Sequence, residues 1–192
     1  MNLTTQLFES TNLKLDFYDP EKDASEESSF TYDLNYTWGI SFDVEPKPLT
    51  AFEIKKMREE QLKKAEETGT KFYFAVRRKA DNQFLGVIMF PWISWTHRTA
   101  AFRVLIGETS RSGEYLAEAL RLALRYAFEE LNLYSVDCYA GEFQPEYLEA
   151  CRRVGMQERV RQREMVFRGG RLWDRVMMVM NQDDWQKFQH EE

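Results

Sequence analysis

The sequence predicts an α/β or α+β domain, with one mixed sheet of seven strands and helices packed against it. Three observations predict it. Strand-like and helical patterns alternate along the chain. Turn residues join strands into hairpins both before the longest amphipathic helix and at the C-terminal end. The 192 residues are 43% hydrophobic and 15% aromatic, enough for a sizeable core in a single domain, 1–192.

Leu13 to Asp19 alternates apolar and polar residues and reads as a strand. Pro20 to Pro48 is acidic and aromatic without a clear period. It reads as a short helix and a long loop whose Phe30, Tyr32, Tyr36, Trp38 and Phe42 need something to pack on. Thr50 and Glu53 have capping-box spacing, Ile54, Met57, Leu62 and Ala65 follow at helical intervals, and Gly69 ends the helix. Its outer face carries i,i+4 charge pairs.

Two strand-like runs, Lys71–Arg78 and Phe84–Trp92, flank the turn formers Asp81 and Asn82. Thr99–Gly107 is another strand. Leu116, Leu120, Leu124, Phe128 and Leu131 then mark a long helix. Tyr134–Ala140 is a strand, and a short helix runs between Pro145 and Gly155. Glu158–Arg168 and Arg171–Met180 close the chain as two strands around Gly169–Gly170, the methionines Met177, Met178 and Met180 reading as core.

Several function classes are disfavoured. A net charge of -6 does not suit a general nucleic-acid binder, which needs a basic face, but it is compatible with a cationic or neutral small substrate. Cys138 and Cys151 lack metal-type spacing, and His97 and His190 lie far apart, so no zinc or haem site is expected. The N-terminus resembles neither a signal nor a transit peptide, and no apolar run approaches the ~20 residues that span a bilayer. A cytoplasmic protein with reduced thiols and no membrane partner is expected, as a monomer or a homodimer.

Gly107–Leu120, "GETSRSGEYLAEAL", has the position of a phosphate-cradling loop but few of its glycines. The stretch "EYLAEALRLALRYAFEELNLYSV" and the C-terminal pattern Gly155-Met156, Arg163-Glu164, Gly170 and Asp174 resemble the GNAT N-acyltransferases. The nearer likeness is to the branch of ribosomal-protein N-terminal and spermidine acetyltransferases, and it covers about Phe84 to Trp185. The resemblance implies a mixed, mostly antiparallel sheet of about seven strands flanked by helices. It also implies transfer of an acetyl group from acetyl-CoA to a primary amine, without a metal.

In such enzymes a bulged strand offers backbone to pantetheine, and the following loop and helix N-terminus receive the pyrophosphate. Carried over, Val104, Leu105 and Ile106 are the strand, and Arg111, Ser112, Gly113, Glu114, Tyr115 and Leu116 the loop. Glu114 stands at the first family glycine and Leu116 at the second small residue, with Gly113 displaced by one position. Two readings remain open. Either Ser112 caps the helix and Glu114 stabilises its first turn by ~0.3–1 kcal/mol, or the amides still cradle phosphate with Glu114 pointing outward.

Gln144 stands at a family Asn that contacts the cofactor, and Cys151 at the tyrosine that protonates the departing thiolate. Tyr147, one helical turn earlier, is the alternative acid, and Cys151 also reads as a buried small residue. Arg103 stands where some relatives place a carboxylate, which leaves Glu108, then Asp137, as candidate bases. His97 in its turn reads as surface. Arg153, with Arg152, is placed to reach the CoA 3′-phosphate or else lies on a solvated face. Tyr32, Asp33, Tyr36, Trp38 and Asp43 combine rings and carboxylates suited to a cationic acceptor. The alternatives are a GNAT-fold binding or regulatory protein without catalysis, and an acyltransferase with a different acyl donor.

Overall fold

The computed structural model describes residues 8–40, 47–107 and 113–191. Strands β1 (Leu13–Asp16), β2 (Phe72–Arg78), β3 (Phe84–Ser94), β4 (Thr99–Ile106), β5 (Ser135–Gly141), β6 (Gln157–Arg168) and β7 (Arg171–Asn181) make one sheet in the order β1-β2-β3-β4-β5-β7-β6. Every neighbouring pair is antiparallel except β4 and β5. This is the mixed, mostly antiparallel sheet that the resemblance implies.

Helices α1 (Pro20–Phe30), α2 (Leu34–Ile40) and α3 (Ala51–Thr68) belong with one face. Helices α4 (Gly113–Arg125), α5 (Pro145–Arg153) and α6 (Gln182–Glu191) belong with the other. Alternation along each strand divides the core accordingly. Phe102, Val104, Ile106, Val136, Cys138 and Ala140 join the α4–α5 side, while Leu105, Ala75, Val87 and Met89 join the α1–α3 side. α4 continues into a π-helical turn, Tyr126–Glu130.

Two helices differ from the sequence reading. Pro20–Pro48 holds α1 and α2 rather than one short helix and a long loop, and the C-terminal α6 was not anticipated. α1 begins where Asp19 accepts the Glu21 amide at 3.0 Å and Asp23 accepts the Asp19 amide at 2.9 Å. Its inner face is Asp23, Ala24, Glu27 and Phe30, which is helical spacing with two charges inside. Each charge has a partner. Asp23 takes both carboxylate bonds from Arg77 Nη2 at 2.9 Å. Glu27, fully buried, accepts Arg58 Nε at 3.1 Å, a second bond from Arg58 Nη2, and the Tyr36 hydroxyl at 3.1 Å. Arg58 also donates to Gln61 Oε1 at 2.8 Å. One buried ion pair thus ties α1 to α3 and, through Tyr36, to α2.

Gly169 (φ 59°) and Gly170 (φ 79°) both sit in the left-handed region, as the two-residue turn joining β6 to β7 requires. β6 carries a bulge at Arg163–Met165. Its Glu164 amide donates to Asp174 Oδ1 at 3.0 Å, and Arg161 reaches Asp174 Oδ2 at 3.2 Å. The Arg-Glu and Asp174 elements of the C-terminal signature are therefore parts of one kinked hairpin. In the β3–β4 pair the bulge lies in β3, not in β4 as the resemblance implies. Met89 faces Arg103 and Trp92 faces Ala101, so the extra residue is on β3 at Phe90–Pro91. Proline has no amide to donate, and a bulge accommodates it.

Candidate active site

β4 and β5 are parallel neighbours only at Thr99–Ala101 against Ser135–Asp137. Beyond that vertex the strands separate. The antiparallel ladder to β3 fixes which β4 groups are left over. The Gly107 amide donates to Leu85 O at 2.8 Å, so by alternation Leu105 and Arg103 also spend their main-chain groups on β3. The amides and carbonyls of Val104 and Ile106 then face the gap.

The gap widens into a cavity of about 410 Å³. Val104, Leu105 and Ile106 form one wall. Gln144 and Tyr147 of the α5 segment form the opposite wall, and Gly113 and Leu116 at the start of α4 close one end. Six expected cofactor-side residues and Tyr147 are thereby brought together. Gln144 is fixed by its Oε1 accepting the Gly141 amide at 3.0 Å. Arg153 Nη1 lies 3.5 Å from Gly113 O, next to the first turn of α4. Arg152 is engaged instead with Glu149 at 3.5 Å. Tyr115 packs against the core and does not line the cavity. Glu108, Arg111, Ser112, the side chain of Glu114, and Asp43 lie outside the described residues.

For the candidate acid, Cys151 is corrected. It is fully buried, its Sγ is 3.8 Å from Cys138 Sγ, and it does not line the cavity. Burial, reinforced by Cys138, pushes its thiol well above the ordinary range. Tyr147 lies one turn earlier on the same helix face and does line the cavity. Burial, then the neighbouring Cys138 and Cys151, raises its hydroxyl far above the usual tyrosine range, with the Val104 amide acting in the opposite sense. The hydroxyl therefore keeps its proton.

On the acceptor side, α2 is pinned to β4. Arg103 Nη1 donates to Gly39 O at 3.2 Å and Ile40 O at 2.8 Å, and a Cβ on Gly39 would meet Leu105 Cδ2 at 2.3 Å. Arg103 is thus a positioning residue for α2. The four described residues of the expected acceptor set are engaged in different ways. Tyr32 is 77% exposed and does not line the cavity. Asp33 Oδ1 caps α2 through the Asn35 amide at 2.9 Å. Tyr36 lines the cavity, but its hydroxyl is given to Glu27. Trp38 packs edge-on against Phe143, centroids 5.3 Å apart.

The sequence reading missed Asn35, Phe143, Pro145 and Glu146, which also line the cavity. Pro145 and Glu146 follow Gln144 directly, and an aromatic residue before a helix-capping position was the available signal for Phe143. Asn35 is brought in only by tertiary packing.

Asp137, at the vertex, projects to the face opposite Cys138 and has no ion pair or hydrogen bond among the described residues. Burial pushes its carboxyl up to about 6 from 3.8. The folded protein therefore binds more protons than the unfolded chain between those values, so this group's stability contribution falls as pH rises through that window. Asp137→Asn is expected to raise the melting temperature at pH 7 relative to the parent, with the difference vanishing towards pH 4. Parallel melting curves against pH would refute the assignment. His97 is exposed in its turn. Among the described residues no group of three or more His, Cys, Asp or Glu could hold a metal, and no helix is long and apolar enough to cross a membrane.

Solved structures share this architecture. Spermidine N-acetyltransferase from Vibrio cholerae, in complex with CoA and spermine, superposes with a TM-score of 0.76 at 20% identity, over 92% of this chain and 99% of that one. Mutant forms of the spermidine/spermine N-acetyltransferase SpeG from Vibrio cholerae give 0.73 at 19%, over 95% and 100%. At such identities the likeness is one of fold. No curated protein sequence matches. A family model described as an acetyltransferase (GNAT) domain matches residues 24–157. That is well over half of the sequence, and the chain belongs to the GNAT acetyltransferase family.

Proposed function

We propose that the protein transfers the acetyl group of acetyl-CoA directly to a primary amine, of a small molecule or a protein N-terminus, within a ternary complex. The observation that carries the reading is the gap after Ala101 and Asp137. It leaves the Val104 and Ile106 main-chain groups without a neighbouring strand along a cavity that ends at the first turn of α4, the Val104 amide meeting the Tyr147 hydroxyl. A slender amide-containing arm fits that wall as an added strand would. Gly113 and the α4 amides suit a phosphate beyond it, with Arg153 alongside.

When bound, acetyl-CoA supplies the acetyl group as an activated thioester. The Val104 and Ile106 backbone holds the arm, and the Gln144 carboxamide faces it. A main-chain amide of β4 polarises the carbonyl. The amine nitrogen bonds to the acetyl carbon as the carbon–sulfur bond breaks. Tyr147 gives its proton to the departing sulfur and regains one, through water, from the new amide nitrogen.

Calorimetric titration with acetyl-CoA and desulfo-CoA tests the reading, followed by a thioester-release assay over an amine panel. Micromolar binding and amine-dependent release are expected. Binding without release on any amine would favour a non-catalytic module. Binding only by Glu114→Gly would mark Glu114 as the residue that closes the phosphate end. A folded protein that binds neither nucleotide would refute the proposal.

A further inference from the structure

A second cavity, of about 480 Å³, adjoins the first through the shared residues Asn35, Phe143 and Pro145. Its outer wall is the tip of the β6–β7 hairpin, with Arg168, Gly169 and Trp173. The walls are aromatic. Phe143 packs edge-on against Trp173, centroids 5.8 Å apart, with Trp38 on its other side.

Arg168 is held in this apolar frame. Its guanidinium lies 4.4 Å from the Phe143 centroid, and its Nη1 donates to Asn35 Oδ1 at 2.6 Å. Asn35 is neutral, and among the described residues Arg168 has no carboxylate partner. Glu142, the acid of this cavity, is engaged by Arg161 at 3.4 Å. Arg171, stacked on Trp173, adds a second cation at the same tip. A half-buried cation without a counter-ion among the described residues is unfavourable for an arriving ammonium and favourable for an anion. The planar fork of a guanidinium matches a carboxylate in particular.

We propose that this second cavity is the acceptor subsite, and that it takes an amine whose other end is a carboxylate, seated on Arg168, with an apolar body against Phe143 and Trp173. The proposal rests on the acetyl-transfer reading for the direction in which the amine points. It assigns an acceptor of opposite polarity to the cation that the aromatic and acidic residues around Tyr32–Asp43 suggested from sequence. It also separates this chain from the spermine-bound neighbour of the same fold, since a second ammonium at Arg168 would meet like charge.

The test compares 4-(aminomethyl)benzoate, its amide 4-(aminomethyl)benzamide, and spermidine in a thioester-release assay, with parent, Arg168→Gln and Arg168→Lys. The parent is expected to prefer the benzoate over the amide by about tenfold or more in kcat/KM, chiefly through KM. Arg168→Gln should collapse that ratio towards one, and Arg168→Lys should keep part of it. Equal or better use of the amide or spermidine, or an unaltered ratio in Arg168→Gln, overturns the proposal.

Calorimetry with 4-(aminomethyl)benzoate on the same proteins separates the two readings. Binding by the parent and not by Arg168→Gln, with no thioester release from any amine, would sustain the anion subsite and sink acetyl transfer. Release from amines without any carboxylate preference would do the reverse.

Discussion

Tyr147→Phe is expected to lower kcat by about 10²-fold or more, with the dissociation constant for acetyl-CoA much less affected. The variant keeps the ring that lines the cavity and removes only the hydroxyl, which lies beside Cys138, Cys151 and the Val104 amide. Because burial holds this hydroxyl far above the usual tyrosine range, kcat of the parent should show no alkaline fall from its ionisation below about pH 10. Cys151→Ala is the informative control. That thiol is in the core, so its removal should cost stability through a small cavity and leave most of kcat. A fully active Tyr147→Phe protein, or an inactive but folded Cys151→Ala protein, would return the acid to position 151 or remove it from both.

Glu27→Ala is expected to be the most destabilising single substitution outside the apolar core, by about 3–5 kcal/mol. It leaves the Arg58 guanidinium, 1% exposed, without its counter-ion, and the Tyr36 hydroxyl without its acceptor. For a chain of this size each kcal/mol moves the melting temperature by about 2–4 °C, so a fall of at least about 6 °C should be seen by calorimetry. Removing both charges, as Glu27→Leu with Arg58→Met, should recover much of that loss, since the penalty comes from one uncompensated charge. The effect should extend to function. α2 hangs on this pair through Tyr36 and carries Asn35 into both cavities, so the acceptor KM should rise before thermal unfolding begins. A double variant no more stable than Glu27→Ala would mean that packing, not charge, holds the helices together.

Strand and hairpin patterns were legible because their inward positions are apolar at period two and their turns carry Asp81, Asn82 and Gly169–Gly170. α1 was not, because two of its inward positions are Asp23 and Glu27, and only the positions of Arg77 and Arg58 in space make that spacing intelligible. α6 offers just Trp185 and Phe188 as anchors in a polar stretch.

The site divides in the same way. Val104–Ile106, Gly113, Leu116 and Gln144 could be named because they lie on consecutive elements around one crossover, while the choice between Tyr147 and Cys151 needed the orientation of a helix. Arg168 and Asn35 are 133 positions apart and meet only when the hairpin folds over α2. No local pattern in either segment records that contact.

The parting of β4 from β5 gives one sheet two kinds of margin. A strand margin with free amides is a template on which another polypeptide can build, and one of the two edge strands, β6, carries Arg159, Arg161 and Arg163 and the kink at Glu164, which discourage this. The inner margin has no such charges along Val104–Ile106. The walls in front of it come from the α5 segment, with Gln144 and Tyr147, and from α2, with Asn35 and Tyr36. A chain without bulky side branches suits such a walled margin as the strand that completes the ladder. The walls that cover this margin thereby set the girth of what the protein can admit.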